Sequence, residues 1–197
     1  MIRPRVPGDL GACVDVLRAV HEGDGYPANW PNDPGAWLTP EGMIKAWVSA
    51  DGAEITGHVL LRGADPGFPA ADGILARLFV APHARGRGAA EGLRARGSRA
   101  HTEVRGAGPA SRVPGVEAAG SLVSGSGGAQ VGVAAGLMAA VEEEAAERGL
   151  RLGLDVADSR RNAMAFYERA GWRRVASVRA DWLDVDGRPA LVHYYLR

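Results

Sequence analysis

Apolar and charged positions alternate over residues 2–6, the period of a short strand. Pro7, Gly8 and Asp9 then mark a turn, with Asp9 placed as a helix N-cap. From Leu10, the residues Cys13, Val14, Leu17 and Val20 or His21 recur at helical spacing and predict an amphipathic helix. Residues 23–40 are rich in Pro, Asn, Asp and Gly and predict a loop or broken helix. Residues 44–48 and 55–61 read as strands joined by the turn Asp51-Gly52, a hairpin. Residues 74–80 form the most apolar strand, expected at the centre of a sheet and interrupted only by Arg77. Val133, Leu137, Val141 and Ala145 fall four apart on one helical face, and Gly149 is a natural C-cap. Residues 150–156 predict a strand with Leu152 and Leu154 on one side. Residues 162–170 predict a helix ended by Gly171. Residues 172–181 and 189–196 predict two last strands around the turn Asp186-Gly187. This order predicts an α/β protein, a mixed central sheet flanked by helices.

Composition narrows the function classes. The 197 residues suit one domain. The 23 basic and 23 acidic residues cancel, so no global field favours nucleic acid or an anionic membrane. No apolar run reaches the roughly 20 residues of a membrane span, and the first ten residues lack the apolar core of a signal peptide. Cys13 is the only cysteine, so no internal disulfide and no metal knuckle can form. A cytoplasmic protein without a metal is expected.

Two segments carry candidate chemistry. Arg85-Gly86-Arg87-Gly88 follows the apolar strand. Glycines let a backbone approach a pyrophosphate, a following helix offers unpaired N–H groups, and arginine adds charge-assisted bonds. The second segment runs from Asn162 to Trp172. Ala163, Phe166 and Ala170 are expected to share a core face, with Tyr167 on another. The Tyr167 phenol can donate a proton and needs a partner if buried.

With Phe79-Val80-Ala81-Pro82 before them, these segments resemble the signatures of the GCN5-related N-acetyltransferases, the GNAT family. Arg85, Gly88 and Ala90 fit the family's Arg/Gln-x-x-Gly-x-Gly/Ala pattern, and residues 162–172 fit its second motif almost throughout. The resemblance covers about three quarters of the chain. It implies the acyl-CoA N-acyltransferase fold, with acetyl-CoA as co-substrate. The backbones of Phe79 and Val80 would hold the pantetheine arm where two central strands part. Arg85, Gly86, Arg87, Gly88, Ala89 and Ala90 would cradle the pyrophosphate, Asn162 would contact the cofactor, and Tyr167 would protonate the leaving thiolate. One departure is plain: Ile74 stands where many relatives place a glutamate that relays the amine's proton. Glu22, Asp24 and Glu41 are alternative bases. His58 and His193 read equally well as ordinary strand residues, and Arg77 as a cleft residue or a surface-paired one.

A second departure lies inside the cofactor motif. From residue 89 to 132 there is no Phe, Tyr, Trp, Ile or Met, and Gly, Ala, Arg and Ser dominate. Such a segment buries too little to offset its ordering entropy. Joining Gly88 to Val133 restores an unbroken motif and helix. A single domain over residues 1–197 with a disordered insertion at about 89–132 is therefore expected.

The acceptor side is less specific. Tyr26, Trp30 and Trp37 sit in the Pro-rich segment. As exposed aromatics they would suit a small-molecule or peptide amine through cation–π contact, and as a satellite core they would hold the loop down. Pairing of the late strands would support a homodimer, common in the resembling family. The rival function is a catalytically weak or inactive acyl-CoA-binding module of the same fold. A nucleotide-binding protein is disfavoured, because no Gly-Lys-Ser/Thr pair exists.

Overall fold

A computed structural model describes residues 1–85, 132–183 and 187–197. Seven strands form one sheet: β1 (Ile2–Pro4), β2 (Met43–Asp51), β3 (Glu54–Gly63), β4 (Gly73–Val80), β5 (Leu152–Ala157), β6 (Arg173–Leu183) and β7 (Pro189–Leu196). The order across the sheet is β1-β2-β3-β4-β5-β7-β6. Every pairing is antiparallel except β4 with β5. Among the described residues four α-helices accompany it: α1 (Leu10–Asp24), α2 (Pro34–Leu38), α3 (Val133–Glu147) and α4 (Arg161–Arg169).

Side chains alternate across the sheet, and the helices cover what the alternation leaves apolar. Leu137 and Val141 of α3 pack with Leu75, Leu78 and Val80 of β4 and with Leu152, Leu154 and Val156 of β5. On the opposite face Cys13, Leu17 and Val20 of α1 pack with Val48, Leu38 and Phe79. A third cluster gathers Leu60, Phe68, Ile74, Ala76, Val192 and Tyr194. Ile74 is thus plain core, 1% exposed.

Two irregularities shape the middle of the sheet. β4 and β5 share only two registered pairs, Gly73 with Leu152 and Ile74 with Gly153. Beyond them β4 follows β3, while β5 follows β7 as far as Ala157, so the two central strands part. The second is a bulge in β4. His58 faces Phe79 and Leu60 faces Ala76, which leaves Arg77 and Leu78 against Val59. Arg77 has φ of 53°, the left-handed region that a side chain rarely adopts. Its carbonyl accepts a hydrogen bond from His58 Nδ1 at 3.1 Å.

Several details differ from the sequence expectation. Asp9 precedes α1 but makes no cap. Its carboxylate accepts from the Val6 N–H at 2.8 Å and pairs with Arg3 at 2.7 Å, a partner that lies outside the helix. The Pro-rich segment contains one true short helix, α2, whose N-cap Asp33 accepts from the Ala36 N–H at 2.9 Å. In α4 the buried pair is Ala163 and Tyr167, while Phe166 is only partly buried, so Tyr167 takes the core place expected of Phe166. Residues one turn apart share a helical face, and the i, i+4 spacing of Ala163 and Tyr167 won over i, i+3. Gly149 (φ 67°) and Gly171 (φ 90°) end their helices as expected. Asp186 of the last turn lies outside the described residues, as does the whole expected insertion apart from Gly132, which precedes α3.

Candidate functional site

Candidate groups on β4, β5 and α4 lie around the parting of β4 and β5. Tyr167 reaches it from α4. Its ring is fully buried, set edgewise to Phe166 at 5.4 Å and to Trp172 at 6.0 Å. Its hydroxyl has no hydrogen-bond partner among the described residues. Burial pushes the phenol well above its ordinary pKa, and the nearby Tyr26 and Asp155 push in the same direction. The phenol is therefore a proton carrier held in its neutral form.

Asp155 comes from β5, two residues past the last β4–β5 pair. It is 5% exposed, and its Oδ2 has no hydrogen-bond partner among the described residues. Burial raises its pKa to about 6. Arg62 and Arg77 oppose the rise, Asp65 adds to it, and the residue's own N–H opposes it weakly. A buried carboxylate with an open oxygen and a pKa near neutrality suits a proton acceptor. Sequence reasoning missed it. The available signal was an acidic residue inside the apolar run 152–156, where a carboxylate is costly without a use.

The expected bases fall elsewhere. Glu22 and Glu41 are exposed. Asp24 forms an ion pair with Arg85. His58 is fully buried, stacks on Phe79 at 5.2 Å, and is held to a pKa of about 3 chiefly by burial. It is a neutral structural residue that pins the Arg77 bulge. Cys13 is buried in α1 and its thiol is pushed up to about 11 by burial, which leaves no thiolate.

The cofactor residues are divided. Phe79 and Val80 lie in β4 beyond the point where β5 departs. Asn162 is exposed in the first turn of α4. Gly86, Arg87, Gly88, Ala89 and Ala90 lie outside the described residues. Arg85 is described, and its side chain is turned inward. Nε donates to the Val80 carbonyl at 2.8 Å, the guanidinium pairs with Asp24, and the side chain is 8% exposed.

The three acceptor aromatics are not presented as free faces. Tyr26 is buried, which corrects the expected exposure, and Trp30 and Trp37 are partly buried around the α1 cluster. Each ring carries one of the chain's own arginines: Arg160 lies 5.8 Å from Tyr26, Arg18 lies 5.5 Å from Trp30, and Arg77 lies 4.4 Å from Trp37. Arg160 also donates to the carbonyl of Asp24 at 2.7 Å. These rings pack around the α1 cluster, and each has an arginine of the chain over it. Arg77, which lies over Trp37 of α2, also acts on the Asp155 carboxylate. Among the described residues no helix is long and apolar enough to cross a membrane.

Known proteins share this fold. Residues 130–172 match the model of the Acetyltransferase (GNAT) family. The match spans α3, β5 and α4, and opens where the Gly-rich stretch closes. No curated protein sequence matches the chain. Solved structures match over its whole length. A ribosomal-protein-alanine N-acetyltransferase from Brucella melitensis superposes with a TM-score of 0.62 at 18% identity, covering 100% of this chain and 98% of that one. The ribosomal-protein-S18-alanine N-acetyltransferase of Escherichia coli gives 0.59 at 14%, covering 100% and 92%. Arabidopsis thaliana NAA60, in complex with a bisubstrate analogue, gives 0.61 at 15%, covering 100% and 96%. The chain has the GNAT acetyltransferase fold, and over residues 130–172 it carries the sequence pattern of the GNAT family.

Proposed function

We propose that the chain is an N-acetyltransferase that moves acetyl from acetyl-CoA to the amine of a small molecule or peptide, by direct attack within a ternary complex. The observation that carries this reading is the pairing of two buried, unpartnered proton carriers, Tyr167 and Asp155, beside the parted central strands. Amide formation needs a proton removed from the ammonium and one delivered to the thiolate. Asp155, ionised at neutral pH, accepts the first. Tyr167, held neutral, donates the second. The orphaned phenol and the free stretch of β4 past Ile74 fit a thioester in the gap, with Phe79 and Val80 holding its pantetheine arm. Asn162 and the segment from Arg85 to Ala90 would complete the cofactor's contacts. Two relatives named as protein-alanine acetyltransferases favour an amine acceptor.

A second reading, an acyl-CoA-binding module with little or no turnover, is supported by Arg85. That side chain is occupied by Asp24 and by the Val80 carbonyl rather than being open to phosphate.

Calorimetry with acetyl-CoA, on this chain and on one lacking residues 89–132, separates binding from failure to bind. Thiol release across a panel of amines then measures turnover. We expect binding by both chains, and a Tyr167→Phe variant that binds normally while its kcat falls by about 100-fold or more. Binding by the shortened chain alone would mean that the insertion disables the site. Unchanged turnover in Tyr167→Phe would refute the assigned acid.

A further inference from the structure

A hydrogen-bonded chain of three residues lies outside the site described above. Ser177 of β6 sits opposite His193 of β7, and its Oγ is 2.8 Å from His193 Nδ1. His193 Nε2 is 2.9 Å from Oδ1 of Asp158, just past the end of β5. The Asp158 N–H donates to the Leu191 carbonyl at 2.8 Å, which fixes the turn that presents the carboxylate.

The protonation pattern follows from donor and acceptor counting. The hydrogen bond from His193 holds the Asp158 carboxyl below its ordinary pKa, and Arg161 and Arg174 help. An ionised carboxylate can only accept, so the ring proton resides on Nε2. In the neutral imidazole, Nδ1 then presents a lone pair and accepts from the Ser177 hydroxyl. His193 has a side-chain exposure of 4%, so this base is shielded from water. Ser177 is exposed at the surface. A hydroxyl on a buried imidazole, itself held by a carboxylate, is the arrangement of an activated nucleophile. The ring is reversed relative to the serine-protease triad, where Nδ1 meets the carboxylate and Nε2 the serine; either nitrogen can serve as base. Val156, opposite His193, faces the α3 side, whereas Asp155 faces the other way, so this chain of three does not include the proposed base.

We propose that Ser177 is a second acyl acceptor, which takes the acyl group of small activated esters or thioesters. Ser177 Oγ attacks the carbonyl carbon and its proton passes to His193 Nδ1. Asp158 stabilises the imidazolium through Nε2–H. The bond from carbonyl carbon to the leaving oxygen or sulfur breaks, and that atom takes the proton from Nδ1. Acyl-Ser177 remains until water, deprotonated by the same nitrogen, releases the acid. β6 is the last strand of the sheet, and along an edge strand alternate residues aim their N–H groups outward. An outward N–H therefore lies at Ser177 or at an adjacent residue, available to the oxyanion. The open position of Ser177 favours short acyl groups.

The test uses the full chain with p-nitrophenyl acetate and with a fluorophosphonate probe, the modified peptide being mapped by mass spectrometry. We expect both reagents to modify Ser177. Ser177→Ala should abolish the modification, and this exposed position leaves folding intact. His193→Asn and Asp158→Asn should each slow it, the former by about 100-fold or more. Thermal melts confirm that each variant is folded, and Asp158→Asn decides the relay if His193→Asn does not fold. No modification of Ser177 in the parent chain overturns the proposal. So does modification at an undiminished rate in the folded relay variants.

Discussion

On the proposed function, Asp155 serves chemistry at the expense of stability. Its carboxyl is raised from an ordinary 3.8 to about 6 because folding removes it from water. The folded chain therefore binds its proton more tightly than the unfolded chain does. The stability linked to this group is full below about pH 4 and is lost as pH rises towards 6. An Asp155→Asn variant, which carries no charge to bury, should be more stable than the parent at pH 7, by up to about 3 kcal/mol, with the gain vanishing below about pH 4. Chemical denaturation at the two pH values measures this. The same variant should lose the acid limb of kcat/KM, which in the parent rises through about pH 6 as the base ionises. A variant that is destabilised at neutral pH would show that the carboxylate has a compensating partner.

At the scale of elements, the β4–β5 junction is held open by what packs at its closed end. Gly153 makes the last registered pair with Ile74, and a Cβ there would stand 2.7 Å from the Ala71 Cβ and closer still to the Phe68 ring. Gly153→Ala should therefore displace the Phe68 loop and cost about 1–3 kcal/mol, read as a lower Tm. An unchanged Tm would mean that the loop does not wedge the strands. Such junctions were only partly legible in the chain. The strands, α1, α3 and the caps at Gly149 and Gly171 follow from local periodicity and turn chemistry, which neighbouring residues alone determine. The parting of β4 and β5 depends on pairing across the Gly-rich stretch, and the positive φ of Arg77 and the open carboxylate of Asp155 depend on how whole strands pair and pack. Tyr167 was found as a candidate through its motif, yet its burial was assigned to Phe166, since the helix phase of so short an element is set by what it packs on. The aromatics of the Pro-rich loop were equally ambiguous, because the arginines that cover them come from α1, β4 and the start of α4.

At the scale of the whole molecule, Arg85 joins the end of α1 to the end of β4. One guanidinium binds the Val80 carbonyl and the Asp24 carboxylate, and Arg160 reaches the Asp24 carbonyl from the other half of the chain. On the proposed function, acetyl-CoA draws on the segment that begins at Arg85. The inward arginine and the ligand then compete for one side chain. The apparent dissociation constant equals the intrinsic one divided by the fraction of molecules whose Arg85 is free. Every tenfold increase in that fraction tightens binding tenfold until it nears one. Asp24→Asn should thus bind acetyl-CoA more tightly than the parent, and calorimetry would show it; equal affinity would mean that the ligand leaves the latch closed. Seen this way, α1 acts as a toll on cofactor entry, and the affinity measured for the chain reports the strength of a salt bridge as much as the quality of the phosphate cradle.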